Sequence, residues 1–504
     1  MHSLGTNLDT TTTPAGELTW LGDHLPAGTT AAVLIGAGSG LGLGEWLGRD
    51  PRARAVVLEP DPRAADALRK RCAAWIGGTS DRLAVLAGPE YAGGADVAKR
   101  FTTIGSAPVL VYPALERMHP REVARARNVV ARLTFQTSAN EGARRATAGR
   151  YLLQTLANAP RLAREADISV LHALMSGLPA VVVAAGPSLD RNIHDLAPVL
   201  DRVLIIACDT AARPLISLGV EPHFIIATDS SRANAAHLSS LPATQSWLVA
   251  EGSLHPSAFA HFDHRTFYFR VADHEPWAWL RSLGITATPL DTWGSVLTSA
   301  FSFAQYIGCG PVAFIGADFA FTDGRPYCRG TSFEPLWASW TAGGASLDDV
   351  WRTLVDRWPL TTAPDLHGNQ VRTAPHLISF RDWVVDRVAL RRDTRVINAT
   401  GDGLLFGAGI EQDRLSRVFA EAEPIDRALV QRVLRAAHQT ADSDMTPVLA
   451  GVTSLLSGSR EDTFADWMQF TAGTVTYPAI EAALRSAEHA AWMLASRSPQ
   501  KDTL

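Results

Sequence analysis

The stretch VVVAAGPSLDRNI, residues 181–193, decides how this chain is read. An unbroken apolar run of this kind is typical of a parallel strand that is covered on both faces. The run ends on a turn in which Gly186 permits close approach of another group and Pro187 fixes the backbone. Ser188 is placed to cap a helix that begins at Leu189. Because free N–H groups at the start of a helix attract anions, the turn predicts a phosphate-binding site.

Further apolar runs follow, and each leads into a polar residue. They read VLIIACD, HFIIATD, SWLVAEG and VAFIGAD, and they alternate with helical stretches. This order predicts an α/β domain with a largely parallel sheet. Ligands of open α/β sheets bind at the carboxyl ends of the strands, so the strand ends are the residues of interest. These residues are Gly186, Asp209, Asp229, Glu251 and Asp318.

An earlier stretch, AVLIGAGSGLG at residues 32–42, has the same strand–glycine–helix pattern. Gly36, Gly38 and Gly40 follow a strand-like run, and Glu59 ends the next run, where an acid can bind ribose hydroxyls. The pattern is similar to the cofactor half of class I methyltransferases, which leaves methyl transfer open. A glycine turn alone is a weak signal, and Tyr112 stands where such enzymes place catalytic polar groups. We therefore favour a Rossmann-like accessory domain that has lost its ligand.

Composition and charge indicate a globular chain of several domains. Its 504 residues are more than a single hydrophobic core usually accommodates. With 46 Lys and Arg against 51 Asp and Glu, the chain has no broad positive charge for binding nucleic acid. Four cysteines lie far apart without a CxxC pair, which disfavours a zinc cluster or a disulfide scaffold. The N-terminus has no basic or apolar signal segment, so we expect a cytoplasmic protein. The uncharged stretch 292–317 breaks at GCGP, which predicts a helix, a turn and a strand and no membrane span.

Shifts in pattern along the chain predict three domains. Residues 1–139 alternate strand-like and helical stretches, as in a Rossmann-like accessory domain. Helical spacing follows as a connector, which Pro160 interrupts. Residues 140–410 carry the α/β runs described above, and residues 411–504 are rich in Ala, Leu, Arg and Glu at helical spacing. The last part is therefore predicted to be a helical domain.

Five segments in one order carry a family resemblance. They are AAGPSLDRNI, IIACDTAARPL, PHFIIATDSS, the segment from WGSVLTS to FTDG, and HGNQVRTAPHLISF. On these segments the chain resembles the motility-associated-factor (Maf) glycosyltransferases over residues 140–410. Those proteins share a core with MptE-like pterin diphosphokinases and, more distantly, with bacterial CMP-sialic acid transferases. The resemblance implies a Rossmann-like N-terminal region, a central sialyltransferase-like α/β domain and a helical C-terminal region.

The resemblance also implies a set of nucleotide-binding residues. The turn from Gly186 to Leu189 would hold the nucleotide phosphate, and Asp209 and Asp229 stand where the sialyltransferases have asparagines that touch nucleotide and sugar. An aspartate repels a phosphate unless a cation or a basic side chain intervenes, so a Mg²⁺ or Mn²⁺ ion stays open while no cofactor is certain. The matching segments add Ser295, Asp318 and Asp323 to this set.

A catalytic set follows in the same way. The sialyltransferases use two tyrosines against the leaving phosphate, and the matching residues here are Phe321 and Tyr327, so one hydroxyl is missing. Arg325 or Arg329 would supply the lost stabilisation electrostatically.

The transfer also needs a general base for the acceptor hydroxyl. His367, in DLHGNQVRT, is the histidine nearest the position of the sialyltransferase base. An imidazole can accept a proton at neutral pH, which suits this role. His376 is the alternative.

These implications predict an inverting glycosyltransferase that moves a pseudaminic- or legionaminic-type nonulosonic acid from its CMP-activated donor to Ser or Thr of flagellin. An ATP-dependent hydroxymethylpterin diphosphokinase is one alternative, with Asp209, Asp229 and Asp318 as magnesium ligands. Against it, the sequence has no classical P-loop lysine. A flagellin-binding protein without catalytic activity is the other alternative.

Overall fold

The computed structural model describes residues 20–76, 81–88, 91, 93–94, 97, 100–101, 107–271, 276–391, 393–439, 445–458 and 461–495. The chain divides into two compact units, one of residues 1–143 with 382–391 and one of residues 144–381 with 392–504. The α/β class is confirmed, with a parallel sheet in each unit and a helical C-terminal region. The division into three domains at residues 139 and 410 stays a prediction.

The first unit is built on a four-stranded parallel sheet of order β3-β2-β1-β4. Strands β1 and β2 are buried almost throughout, and Leu34 and Val57 pack against Leu47 and Leu68 of two helices in one apolar core. The strands are β1 Ala31–Ile35, β2 Arg54–Glu59, β3 Leu83–Ala87 and β4 Val109–Val111, and the helices are Leu41–Arg49, Pro62–Ile76 and Pro113–Met118.

One long helix, Pro120–Arg164, contains the boundary between the units along the chain. The prediction that Pro160 interrupts it is wrong, because the helix continues through this residue. A proline removes one helical hydrogen bond, whereas Leu152, Leu156 and Leu162 bury a whole helix face in the core of the second unit. Tertiary packing therefore outweighs the local signal.

The second unit contains a nine-stranded parallel sheet of order β15-β14-β11-β6-β7-β8-β9-β10-β5. The chain builds from β6 in one direction as far as β10, and later places β11 on the other side of β6. The ligand crevice of an open α/β sheet lies where the strand order reverses, here at the carboxyl ends of β6 and β11. The strands are β5 Ala166–Asp167, β6 Ala180–Val183, β7 Leu204–Cys208, β8 Phe224–Ala227, β9 Trp247–Glu251, β10 Thr266–Phe269, β11 Val312–Ile315, β14 Val396–Asn398 and β15 Ile410–Gln412.

Helices and one hairpin complete the second unit. Strands β12 Thr361–Pro364 and β13 Gln370–Thr373 pair in antiparallel fashion as a separate hairpin. The α-helices between the strands are Leu189–Asn192, Asp209–Ser217, Arg232–Ser239, Trp277–Ser282, Val296–Tyr306, Phe333–Leu336, Ala338–Ala342, Leu347–Val355 and Leu415–Val418, together with Pro375–Leu390, whose residues from 382 onward belong to the first unit. The C-terminal helices are Arg427–Gln439, Thr446–Ser457, Glu461–Phe470 and Tyr477–Ala495.

The uncharged stretch 292–317 folds as predicted, into helix Val296–Tyr306, a turn and strand β11. Across the part of the chain that the structure describes, no helix combines the length and the apolar character that crossing a membrane requires.

Candidate functional site

The Gly-Pro-Ser turn lies at the carboxyl end of β6, where the strand order reverses. The carboxylate of Asp318, after β11, accepts hydrogen bonds from the Ser188 hydroxyl at 2.6 Å, the Ser188 N–H at 3.2 Å and the Thr322 hydroxyl at 2.7 Å. A Cβ atom on Gly186 would lie 2.1 Å from Asp318 Oδ2 and 2.5 Å from the Gly316 carbonyl oxygen. Glycine is therefore required because the carboxylate and backbone of the neighbouring loop fill the space.

Ser188 does not cap a helix, although the helix begins at Leu189 as predicted. That helix has only four residues, and the Ser188 side chain makes no capping bond because its hydroxyl donates to Asp318. Burial raises the pKa of Asp318, which is 1% exposed. A phosphate could use the Ser188 donors only if Asp318 were protonated or displaced, since two anions repel. Phosphate binding by the turn stays a prediction.

An open cavity of about 520 Å³, here called the arginine pocket, lies beside this turn. Arg325 donates to the Asp190 carboxylate and, at 3.3 Å, to the Pro187 carbonyl. The guanidinium groups of Arg325 and Arg329 lie 5.5 and 5.2 Å from the ring centre of Trp351, within cation–π range. The charged lining residues are Arg325, Arg329, Arg352 and Arg372 with Asp190, Asp323 and Asp348.

Helix Leu347–Val355 supplies one wall of the arginine pocket. It starts with a capping box in which Ser346 and Asp349 exchange hydrogen bonds, a favourable helix start. Trp351 is buried on the apolar face, and Arg352 reaches the cavity next to it while pairing with Asp349 at 3.0 Å. The aromatic wall and the charge therefore come from one amphipathic helix.

His367 is exposed at the tip of the β12–β13 hairpin. Its Nε2 lies 3.0 Å from the Gly401 carbonyl oxygen and 3.9 Å from an oxygen of Asp402. Because a carbonyl oxygen only accepts, Nε2 carries a proton and Nδ1 is the nitrogen that can take one. Arg191 pairs with both Asp402 and Asp323, the latter in the lining of the arginine pocket. Contacts through Asp402 and Arg191 thus connect the predicted base to this pocket.

Asp209, Asp229 and Tyr327 form a second group at the carboxyl ends of β7 and β8. Asp209 accepts hydrogen bonds from Thr210 and, at 2.6 Å, from Asn234, but burial and the charge of Asp229 raise its pKa to about 7. Burial and the charges of both aspartates raise the pKa of Tyr327 to about 12, so its phenol stays protonated. Arg325 and Tyr327 are two residues apart in the chain, but Arg325 lines the arginine pocket, whereas Tyr327 lies near the two aspartates.

Three further candidates have clear contacts within the fold. Ser295 caps the helix that follows it by accepting a backbone N–H. Phe321, the predicted counterpart of one sialyltransferase tyrosine, is buried against Val355. His376, the alternative base, packs 4.4 Å from Trp358 between ring centres, and burial lowers its pKa. Of the two histidines, His367 is therefore the more exposed to solvent.

Among the described residues, no group of three or more His, Cys, Asp or Glu side chains is arranged to hold a metal ion. Asp209, Asp229 and Asp318, the magnesium ligands of the diphosphokinase alternative, therefore do not form such a group among these residues.

Sequence reasoning missed several residues of the arginine pocket and its rim. Asp190 and Arg191 lie inside the quoted stretch VVVAAGPSLDRNI, and Arg372 lies inside HGNQVRTAPHLISF, so attention to the charged residues of both segments would have found them. Trp351 and Arg352 lie in a stretch without a motif, where only an amphipathic helical pattern was visible.

Comparison with known proteins gives two findings. The family described as 6-hydroxymethylpterin diphosphokinase MptE-like matches residues 153–324, which confirms the predicted MptE-like resemblance over that part of the chain. Among solved structures, the chain is similar to a Maf glycosyltransferase from Magnetospirillum magneticum AMB-1, with a TM-score of 0.47, 15% identity, and coverage of 93% of this chain and 73% of that chain. This structural similarity agrees with the predicted Maf resemblance, but its low identity does not assign the chain to that family. No curated protein matches the chain.

Proposed function

We propose that this protein is a glycosyltransferase that moves a nonulosonic acid of the pseudaminic or legionaminic type from a CMP-activated donor to Ser or Thr of flagellin. The proposal rests on the charge and size of the arginine pocket. Such a donor is negative at its phosphodiester and at its sugar carboxylate, and the planar fork of arginine binds either group through paired hydrogen bonds. A cavity of about 520 Å³ is large enough for a nucleotide-sized ligand.

Arg325 and Arg329 stabilise the leaving phosphate in this proposal. Partial burial lowers the pKa of Arg325, but the hydrogen bond and charge of Asp190, together with Asp323, raise it by more, so the guanidinium stays charged. Asp190 and the Trp351 ring also hold it in place before substrate arrives. A charge fixed in advance stabilises the negative charge that develops on the phosphate when the glycosidic bond breaks.

His367 is the proposed general base, with Nδ1 as the accepting atom. It stands exposed on a hairpin tip, where a hydroxyl on a folded protein can reach it. The identity of the acceptor, flagellin, is supported by the Maf resemblance of the sequence motifs.

The test is release of CMP from CMP-pseudaminic acid and CMP-legionaminic acid with purified flagellin, followed by the mass of the intact flagellin. His367→Gln is expected to lower kcat by at least about 100-fold, as loss of a general base does. His261→Gln is the matched control, because His261 is also exposed and faces a backbone carbonyl, that of Ser239, at 3.1 Å. Equal kcat values for the two variants would remove His367 from the mechanism.

The description of the matching family favours a second candidate, the hydroxymethylpterin diphosphokinase. The same protein is therefore assayed with ATP, Mg²⁺ and 6-hydroxymethylpterin. AMP formation that depends on the pterin, without sugar transfer, would replace the proposed function. Flagellin binding without turnover of any donor would favour the non-catalytic alternative.

A further inference from the structure

Three of the four arginines that line the arginine pocket are paired with carboxylates. The pairs are Arg325 with Asp190, Arg352 with Asp349 at 3.0 Å, and Arg372 with Asp356 at 2.6 Å. A guanidinium has five N–H donors, so a paired arginine can still donate to a ligand. Each of these three, however, brings the negative charge of its partner close to that ligand.

Arg329 is the fourth arginine, and its guanidinium has no carboxylate partner among the described residues. Its backbone N–H donates to Asp190 at 2.8 Å, and its guanidinium lies 5.2 Å from the ring centre of Trp351. A guanidinium above a ring makes this contact with its face, whereas its N–H groups lie in its own plane. Because Arg329 is exposed, these N–H groups are available to a ligand in the cavity.

Three carboxylates line the same cavity, those of Asp190, Asp323 and Asp348. Asp190 and Asp323 both pair with Arg325, the second at 3.5 Å. Asp348 has no basic partner in the part of the chain that the structure describes. Since like charges repel, a second or third phosphate of a ligand would approach these carboxylates without reaching another unpaired arginine.

We propose that the arginine pocket binds one anionic group of its ligand at Arg329, either a single phosphate or a carboxylate, and does not hold a polyphosphate chain. The pairing of the other three arginines carries this inference. It deepens the proposed function and rests on it only for the identity of the ligand, a donor with one phosphodiester and one carboxylate. Each of these groups presents two oxygens, which the planar fork of an arginine binds through paired hydrogen bonds.

A series of cytidine nucleotides tests how many phosphates the pocket accepts. Calorimetry without a divalent cation is expected to show that CDP and CTP bind no more than about twofold tighter than CMP. A site built for a polyphosphate would gain affinity with each added phosphate. CTP binding more than about fivefold tighter than CMP would overturn the proposal. The same result with Mg²⁺ present would also overturn it, because the carboxylates would then hold a metal–polyphosphate complex.

Arg329→Gln tests the residue itself, because glutamine removes the charge and the fork but keeps a polar side chain. The dissociation constant of CMP-N-acetylneuraminic acid is expected to rise at least about tenfold. Arg329→Lys, which keeps the charge without the fork, is expected to lie between Arg329→Gln and wild type. The midpoint of urea unfolding is expected to stay unchanged in both variants, since Arg329 is exposed. Wild-type affinity in Arg329→Gln would overturn the proposal.

Arg357→Gln is the matched control. Arg357 is also exposed, and its guanidinium also lies near a tryptophan, 5.6 Å from the ring centre of Trp340. Arg357 stands outside the lining of the arginine pocket. The variant is expected to bind every probe as the wild type does. Equal weakening by Arg329→Gln and Arg357→Gln would overturn the proposal, because the effect would then come from the net charge of the protein.

CMP and CMP-N-acetylneuraminic acid separate the two sources of the anionic group. If Arg329→Gln weakens both equally, the group is the phosphate, and if it weakens only the conjugate, the group is the sugar carboxylate. The transfer assay separates this inference from the proposed function. Binding of CMP that depends on Arg329, without sugar transfer, supports the inference and removes the proposed function. Sugar transfer with unchanged donor affinity in Arg329→Gln does the reverse, and no binding of any probe overturns both.

Discussion

The two glycine junctions share one sequence pattern, but different kinds of side chain pack against their glycines. At the first, a Cβ atom on Gly36 would meet Leu115 Cδ2 at 2.8 Å, and one on Gly40 would meet Leu68 Cδ1 at 2.4 Å. At the second, a Cβ atom on Gly186 would meet the buried carboxylate of Asp318 at 2.1 Å. The glycines of the first junction thus make room for apolar packing, and that of the second makes room for a charge. A glycine pattern indicates that another group lies close to the backbone at that turn. The identity of that group decides which ligand the junction can bind.

The largest difference is expected from an added methyl group. Gly186→Ala is predicted to lower the unfolding free energy by about 3 kcal/mol or more, because backbone and a bonded carboxylate cannot easily move away. Gly36→Ala is predicted to cost less, about 1–2 kcal/mol, since its φ of +73° is strained for alanine but the end of Leu115 can shift. Urea unfolding measures both, and equal losses would contradict the comparison.

Removal of one hydroxyl at each junction is the next test. Ser188→Ala is predicted to cost about 2 kcal/mol, because it takes a donor from a buried carboxylate. Ser39→Ala is predicted to cost less than about 1 kcal/mol, because the bond that its hydroxyl accepts from the Leu41 N–H is long, at 3.4 Å, and involves no buried carboxylate. A mild effect of Ser188→Ala in urea unfolding would show that Asp318 does not depend on this hydroxyl.

Ligand binding should distinguish the junctions as well. Arg329→Ala is predicted to weaken CMP binding about tenfold, which is about 1.4 kcal/mol, because this arginine lines the pocket beside the second junction. Arg71→Ala is the control, since Arg71 donates to the Ser39 carbonyl at the first junction at 2.8 Å. Calorimetry that finds equal affinities for the two variants would remove the arginine pocket from CMP binding.

The smallest effect concerns pH at the first junction. Burial raises the pKa of Glu59 from 4.5 to about 7. The folded state therefore keeps a proton that the unfolded chain releases, so this stability is present below pH 4.5 and is lost as the pH rises to 7. Glu59→Gln is predicted to remove a pH dependence of the unfolding free energy of about 1 kcal/mol per pH unit across this range. The unfolding free energy measured across this range should be flatter in the variant, and an unchanged slope would show that Glu59 is ionised in the folded protein.

Much of the fold could be predicted from local patterns. The unbroken apolar runs ending near Asp209, Asp229 and Glu251 became strands of the parallel sheet, because burial on both faces dictates their composition. The helix start at Leu189 was also predicted, but the partner of Ser188 was not, since Asp318 lies 130 residues further along the chain.

The sequence by itself determined the α/β class and the two glycine junctions, because each depends on residues close together in the chain. The candidates Arg325 and His367 came from the family resemblance of the motifs and stay predictions. Only the tertiary structure decided that the Asp318 carboxylate accepts the Ser188 hydroxyl at the turn predicted to bind phosphate. It also decided that Arg325, Arg352 and Arg372 line one cavity. Runs of apolar residues and turn residues act over short stretches of the chain, whereas a charged pocket forms only when the sheet brings distant loops to one edge.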